Sequence, residues 1–264
     1  MKGRVLIIAG SDSGGGAGIQ ADIKSVTAMG AFAATAITAL TAQNTLGVHG
    51  IEAVSTPFLR QQIAVVLDDI GADAIKTGML HDVATIEAVC AEIRARAPGI
   101  PLVADPVMVA KGGHRLLAED AVATLMRELL PLATIITPNI PEAEVMAGMA
   151  IADEAAMHEA AARLLGMGVA AVLLKGGHMD GPVLVDLLVT PTGTTRFESP
   201  RIETRHTHGT GCTLASALAA GLAQGMALEA AVARARDYVR AAMLSAPGYG
   251  AGHGPLNHAV TLQR

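Results

Sequence analysis

Short apolar runs, each closed by a cluster of glycine or small polar residues, recur along this chain. Val5-Leu6-Ile7-Ile8-Ala9 gives way to Gly10-Ser11-Asp12-Ser13-Gly14-Gly15-Gly16-Ala17-Gly18, and Ala33 to Leu40 ends in Thr41-Ala42-Gln43-Asn44-Thr45. Ala72 to Ile75 runs into Lys76-Thr77-Gly78-Met79-Leu80, and Leu102 to Ala104 into Asp105-Pro106-Val107-Met108-Val109. Thr134 to Ile136 runs into Thr137-Pro138-Asn139-Ile140-Pro141-Glu142, and Ala170 to Leu174 into Lys175-Gly176-Gly177-His178. Continuous apolar runs of this length are strands buried on both faces, which is the habit of a parallel sheet covered by helices. Helical spacing fills the intervals: 19–29, with Ile19, Ile23 and Val26 on one face, 58–70 after Pro57, a helix capped by Asp82 through about Ala97, then 119–130, 153–166 and 228–245. Val183 to Val189 and Thr194 to Phe197 flank Thr190-Pro191-Thr192-Gly193 and read as a hairpin, so antiparallel strands end the sheet. Lys111-Gly112-Gly113-His114 reads as a mobile loop. No linker, repeat or low-complexity stretch interrupts the pattern, and a single domain over residues 1–264 is expected.

Composition narrows the function. Only 2% of residues are aromatic and none is Trp, while the net charge is -5; a nucleic-acid partner wants basic patches and stacking rings, so none is expected. No apolar run approaches membrane-spanning length, and Val5 to Ala9 is too short for a signal peptide. Cys90 and Cys212 are the two cysteines, too few for a disulfide framework or a cysteine-based zinc site, and a reducing cytoplasm fits them.

The chemistry is concentrated in Thr207-His208-Gly209-Thr210-Gly211-Cys212-Thr213, which leads into a run of Leu, Ala and Ser with no breaker before Gly221. A flexible loop that feeds a helix N-terminus offers unpaired N–H groups and positive potential, hence an anion cradle. Cys212 at that end is expected to lose its proton more easily than an ordinary thiol. A glycine turn capping a packed helix is the plainer alternative.

Other candidates sit just past strand ends, where α/β sheets bind ligands. Gln43 carries a planar amide that can pair with the edge of an aminopyrimidine, or can be satisfied by nearby backbone. Met79 is an apolar lid on a flat ring, or core filler. Asp105 and Glu142 can hold Mg²⁺ directly or through water, or can cap helices. Lys175 is a phosphate ligand or a surface lysine, and Cys90 is a buried, inert thiol. Two nucleotide motifs are excluded. Gly16-Ala17-Gly18-Ile19-Gln20-Ala21 loosely matches a dinucleotide fingerprint, but residues 31–51 contain no Asp or Glu for the ribose. Gly71 to Thr77 comes nearest to a Walker loop, with Ile75 where its second glycine must stand.

These segments together, with Gly252-His253-Gly254-Pro255 near the end, resemble the ribokinase superfamily, and within it the hydroxymethylpyrimidine and phosphomethylpyrimidine kinases of thiamine biosynthesis. The resemblance implies a three-layer α/β/α fold with a mostly parallel central sheet and antiparallel edge strands. It implies ATP and Mg²⁺ as cofactors, a homodimer, and phosphorylation of 4-amino-5-hydroxymethyl-2-methylpyrimidine and then of its monophosphate. Gln43, Asp22, Met79 and Val107, with the backbone of Gly10 and Ala17, would hold the pyrimidine; Asp105 and Glu142 the magnesium; Lys175, Asn139 and Thr207 the nucleotide. Gly209, Thr210, Gly211 and Cys212 would form the anion hole, with Cys212 as base. His206 stands where this subfamily is expected to carry Asn. A pyridoxal-type vitamin is the alternative substrate, and a pyrimidine sensor without catalysis the alternative function.

Overall fold

The computed structural model describes residues 1–109, 113, 116–118 and 120–262. The expected loop at Lys111 to His114 therefore lies outside the described residues except for Gly113, as does Glu119 at the start of the helix expected over 119–130.

Among the described residues six strands run parallel: β1 (Arg4–Asp12), β2 (Phe32–Asn44), β4 (Ala74–Thr77), β5 (Leu102–Ala104), β6 (Ile135–Ile136) and β7 (Val172–Lys175). Antiparallel strands close both edges: β3 (Gly47–Ala53) beside β2, and the hairpin β8 (Val183–Thr190) and β9 (Gly193–Pro200) beside β7. The nine form one sheet in the order 3-2-1-4-5-6-7-8-9.

Period-two alternation along the strands splits the core into two layers. Leu6, Ile8, Leu102, Ala104, Val172 and Leu174 face one side. There they meet α2 (Thr56–Asp69), α3 (Val83–Arg96), α4 (Ala121–Thr124), α5 (Ile140–Ala147) and α6 (Glu154–Leu165). Val5, Ile7, Ala9, Val103 and Leu173 face the other, against α1 (Gly18–Ala28), α7 (Thr210–Ala223) and α8 (Leu228–Leu244). The expected three layers and the mixed sheet are therefore present. Cys90 is fully buried in α3, and burial pushes its thiol up to about 12, as expected of an inert core cysteine.

Local chemistry sets the boundaries. Asp82 caps α3 through a bond from Thr85 N–H, and Asp153 caps α6 from Ala156 N–H. Helix α4 widens into a π-helical turn at Leu125–Leu129 and tightens at Leu130–Leu132, where Pro131 stands. Helix α7 is buried almost all round, from Thr213 through Gly221, which is the mark of a core helix. Gly221 does not break it. A Cβ there would lie 2.8 Å from Ala231 Cβ of α8, so the glycine is a packing contact inside the helix.

Candidate active site

Strand β1 has parallel neighbours on both sides, β2 reached through α1 on one face and β4 reached after α2 on the other. The chain reverses direction across the sheet at β1, and the crevice beyond the strand ends at such a point is where open α/β sheets bind ligands. A cavity of about 960 Å³ opens there, lined by Gly10, Gly78, Asp105, Asn139 and Lys175 at the ends of five strands and by the loop before α7.

Asp12 organises the glycine loop. Its carboxylate accepts from the N–H groups of Gly14 (2.8 Å), Gly16 (3.1 Å) and Ala17 (2.7 Å), and from His208 Nε2 at 2.9 Å. Burial alone would raise its pKa, but the bonds from His208 and the backbone hold it below the usual carboxylate range. The glycine loop is thereby tied to the loop that precedes α7. The contact is close: a Cβ on Gly209, which has φ +81°, would run into the Gly16 carbonyl oxygen. Only glycine satisfies both the left-handed backbone and the space there. Ala17 lines the cavity, but its N–H is held by Asp12 and its carbonyl accepts from Ala21, so its backbone is committed to the loop itself.

Helix α7 begins at Thr210, with Gly209 as its N-cap and Thr210 Oγ1 donating to the Thr207 carbonyl at 3.2 Å. Thr207, Gly209, Thr210, Gly211 and Cys212 all line the cavity. Gly18, the first residue of α1, directs its N–H at Cys212 Sγ. Two helix N-termini thus converge on one thiol, and their combined N–H groups suit an oxyanion. The expected acidic thiol is nevertheless absent. Burial, with the carboxylates of Asp22 and Asp105, outweighs Lys76 and the Gly18 N–H and pushes Cys212 up to about 12.

Beneath Cys212 lies the lysine of β4. Lys76 is fully buried, and its Nζ stands 2.9 and 2.8 Å from the two carboxylate oxygens of Asp22, which is itself fully buried on α1. Asp22 also accepts from Ser216 Oγ at 2.7 Å, one turn past Cys212 on α7. Burial alone would lower the Lys76 pKa, but Asp22, Cys212 and Asp105 hold it above the ordinary lysine value. Lys76 reaches the cavity wall, whereas Asp22 is not among the lining residues. The structure places the carboxylate of Asp22, expected at the pyrimidine, behind the cavity lining, enclosed by Lys76 and Ser216.

The acids line the same cavity, and a Cβ on Gly211 would stand 3.5 Å from Asp105 Oδ2. Asp105 Oδ1 accepts from Thr137 Oγ1 at 3.0 Å and lies 3.5 Å from Lys175 Nζ. Asn139 and Glu142 form a reciprocal capping box on α5, each accepting from the other's N–H. Glu142 is thus both a helix cap and a cavity residue. Burial pushes its pKa up to about 7, Lys175 opposes the shift, and Asp105 adds to it. Burial would lower Lys175, but Asp105, Glu142 and Cys212 raise it. Two facing carboxylates, with no third acid, His or Cys completing a metal cluster among the described residues, fit a hard cation that keeps waters and phosphate oxygens as its other ligands. Mg²⁺ behaves in this way.

On the β2 side, Gln43 meets side chains rather than backbone. Its amide lies 3.2 Å from Thr41 Oγ1 and 3.4 Å from His208 Nε2. Met79 packs its sulfur beside Gly10, where the β1–β2 ladder slips, and both line the cavity with Val107. His206 lies outside the lining, its backbone N–H bound to Thr204 Oγ1. Sequence reasoning assigned no site role to Asp12, Lys76, His208, Asp186 or Arg236. Asp186 holds Gly176 N–H and Arg236 Nε, with the Arg236 guanidinium 5.2 Å above the Phe197 ring.

Comparison with known proteins agrees with this geometry. The sequence model of the family described as phosphomethylpyrimidine kinase matches residues 12–257. The chain is 51% identical, over 99% of its length, to the thiamine biosynthesis bifunctional protein ThiED of Geobacter sulfurreducens, of which it spans 53%. It is 47% identical to the hydroxymethylpyrimidine/phosphomethylpyrimidine kinase of Bacillus subtilis, covering 97% of this chain and 94% of that one. An ADP complex of Bacillus subtilis pyridoxal kinase superposes with a TM-score of 0.92 at 35% identity, over the whole of both chains. With a nearly full-length match on a ribokinase-like sheet, the chain belongs to the phosphomethylpyrimidine kinase family.

Proposed function

We propose that this protein transfers the γ-phosphoryl group of ATP to the hydroxymethyl oxygen of 4-amino-5-hydroxymethyl-2-methylpyrimidine, and then to the phosphate of the resulting monophosphate. The observation that carries the reading is the N-terminus of α7, with Cys212, opening into one cavity beside Lys175, Asp105 and Glu142. Phosphoryl transfer asks for positioning and charge stabilisation more than covalent help, and this wall supplies both.

The ring of the acceptor lies between Gln43 and Met79, with Val107 and Gly10 beside them. Gln43 reads the amino edge of the ring, and Thr41 Oγ1 donates to its amide oxygen. The acceptor oxygen faces Cys212. The N–H groups of Gly209, Gly211 and Cys212 receive the transferred phosphoryl oxygens, and Lys175, Asn139 and Thr207 hold the nucleotide. Asp105 and Glu142 would hold Mg²⁺, which when bound supplies positive charge against the phosphate oxygens. Cys212 accepts the proton of the alcohol acceptor. The monophosphate is already an anion near neutral pH and needs no base.

The chain functions as one domain and a homodimer in the cytoplasm, with neither nucleic acid nor membrane as partner. Free thiols at Cys90 and Cys212 support a reducing compartment, and no described helix is long and apolar enough to cross a membrane. A pyridoxal acceptor fits the same fold, but the higher identity to relatives named for the pyrimidine favours the pyrimidine. Product formation from the pyrimidine, its monophosphate and pyridoxal, each with Mg-ATP, tests the assignment. Turnover of pyridoxal alone would overturn it, and absence of any ATP consumption would favour a sensor.

A further inference from the structure

A fully buried lysine at a cavity wall needs a reason. Lys76 has no exposed side-chain surface, yet it lines the cavity together with Cys212. Both Asp22 oxygens grip its Nζ, at 2.9 and 2.8 Å. Asp22 Oδ1 also holds Ser216, four residues beyond Cys212 and so on the same face of α7. Three elements, α1, β4 and α7, are pinned together under the thiol. A β-strand position that only needed packing would be filled more cheaply by an apolar residue, since well-packed hydrophobic residues often equal or exceed a buried ion pair in stability.

We infer that Lys76 is a positioning residue for the reaction: clamped by Asp22 beneath Cys212, its ammonium is the fixed positive charge that enables Sγ to accept the proton of an alcohol acceptor. The inference rests on the reading of Cys212 as the base. As the acceptor oxygen bonds to the γ-phosphorus, the bond from that phosphorus to the leaving ADP oxygen breaks. The hydroxyl proton passes to Sγ. Lys76 neither gains nor loses a proton; it offsets the negative charge that Sγ carries. The other charges facing the thiol act in both directions. Asp22 on α1 and Asp105 beyond β5 oppose a thiolate, the Gly18 N–H favours it, and Lys175 on β7 interacts with it as well. Among the side chains Lys76 is the largest favourable influence.

The test reads the thiol directly. The rate of iodoacetamide alkylation at Cys212, followed on its peptide by mass spectrometry, is measured against pH in one Mg²⁺-containing buffer for wild type and Lys76→Met. A nearby opposite charge is worth about 1–3 pH units, so the Lys76→Met profile should move up by about one unit or more, roughly tenfold slower at a fixed pH below the plateau. Its kcat for the alcohol should fall by a similar factor, with the KM for ATP nearly unchanged and a much smaller loss for the monophosphate. Lys76→Met leaves Asp22 buried without its partner and can fail to fold. The double variant Lys76→Met/Asp22→Leu removes both charges and should still alkylate more slowly than wild type, because Lys76 lines the cavity with Cys212 and Asp22 lies behind it. A superimposable alkylation profile in either folded variant overturns the inference, even where Cys212 is otherwise established as the base. Near-wild-type alcohol kcat in Cys212→Ala overturns the base reading, and the inference with it, whatever the alkylation profile.

Discussion

The two acceptors provide an internal control on Cys212. In the first transfer the nucleophile is an alcohol; in the second it is a phosphate monoester with a second pKa of about 6. The site holds the Cys212 thiol near 12 against an ordinary value of 9.0. At pH 8 only a small fraction of Cys212 is therefore thiolate, less than for an ordinary cysteine. A base so rarely free makes the alcohol reaction pH-dependent: kcat should climb toward tenfold per unit between about pH 7 and 10. The monophosphate reaction should be flat over that window, because its acceptor is ionised throughout. Positioned bases contribute roughly 10²–10⁴-fold, and the loose transition state of phosphoryl transfer draws its proton late. The expected loss for Cys212→Ala is accordingly at the lower end, about 10²-fold in alcohol kcat, with less than about tenfold for the monophosphate. Cys212→Asp should recover part of the alcohol rate. The assay is kcat for each acceptor, separately, against pH on all three proteins. Equal losses for both acceptors, or parallel pH profiles in wild type, would refute the proton-acceptor role and leave Cys212 as a wall of the anion hole.

Other outcomes follow from the same geometry. Gln43→Ala should raise the pyrimidine KM roughly tenfold or more, since loss of a buried hydrogen-bond partner costs about 1–3 kcal/mol, and should leave the KM for ATP unchanged; an unaltered pyrimidine KM removes Gln43 from ring recognition. Glu142 has a folded-state pKa raised to about 7 from 4.5, so the unfolded chain releases this proton first and the group's contribution to stability declines as pH rises from about 4.5 to 7 and then levels off. Glu142→Gln should flatten that part of the melting-temperature profile in metal-free buffer and lower activity in a way that excess Mg²⁺ partly restores; a profile identical to wild type refutes the shifted carboxyl. Gly211→Ala places its Cβ 3.4 Å from Lys175 Nζ, an ordinary contact, so the variant should melt normally and lose kcat at least about tenfold as the methyl group enters the phosphoryl site; near-normal kcat would show that this loop does not approach the reacting group.

The legible part of this fold was its repetition. Runs such as Leu102 to Ala104 match their strand residue for residue, and Asp82 caps its helix as its side chain suggests. What escaped was non-local. Strand β3 carries His49, Gly50 and Glu52 and takes its shape from pairing with β2, with no apolar run of its own. Helix α5 is short and begins under Pro141, which reads as a turn. At the site, the positions past strand ends were legible because glycines, acids and lysines stood where apolar runs stopped, and all but Asp22 of the expected residues line one cavity. The Asp22–Lys76 pair spans 54 residues and has no local signature. The same limit misjudged the Cys212 thiol: its place at a helix start is local, whereas the burial and carboxylates that govern it come from distant strands and helices.

Helix α7 also has a mechanical meaning. Its alanines and Gly221 bring α8 so close that a single methyl group at the Gly221–Ala231 contact has nowhere to go. The helix is a rigid bar of 14 residues, about 21 Å long at 1.5 Å per residue, with the anion hole at one end and that contact near the other. A tilt of about 3° would sweep the loaded end by roughly 1 Å, a displacement that can cost about a hundredfold in rate. The small side chains far from the cavity are thus a gauge for the catalytic loop, and packing tolerance at that remote end is a tolerance on turnover.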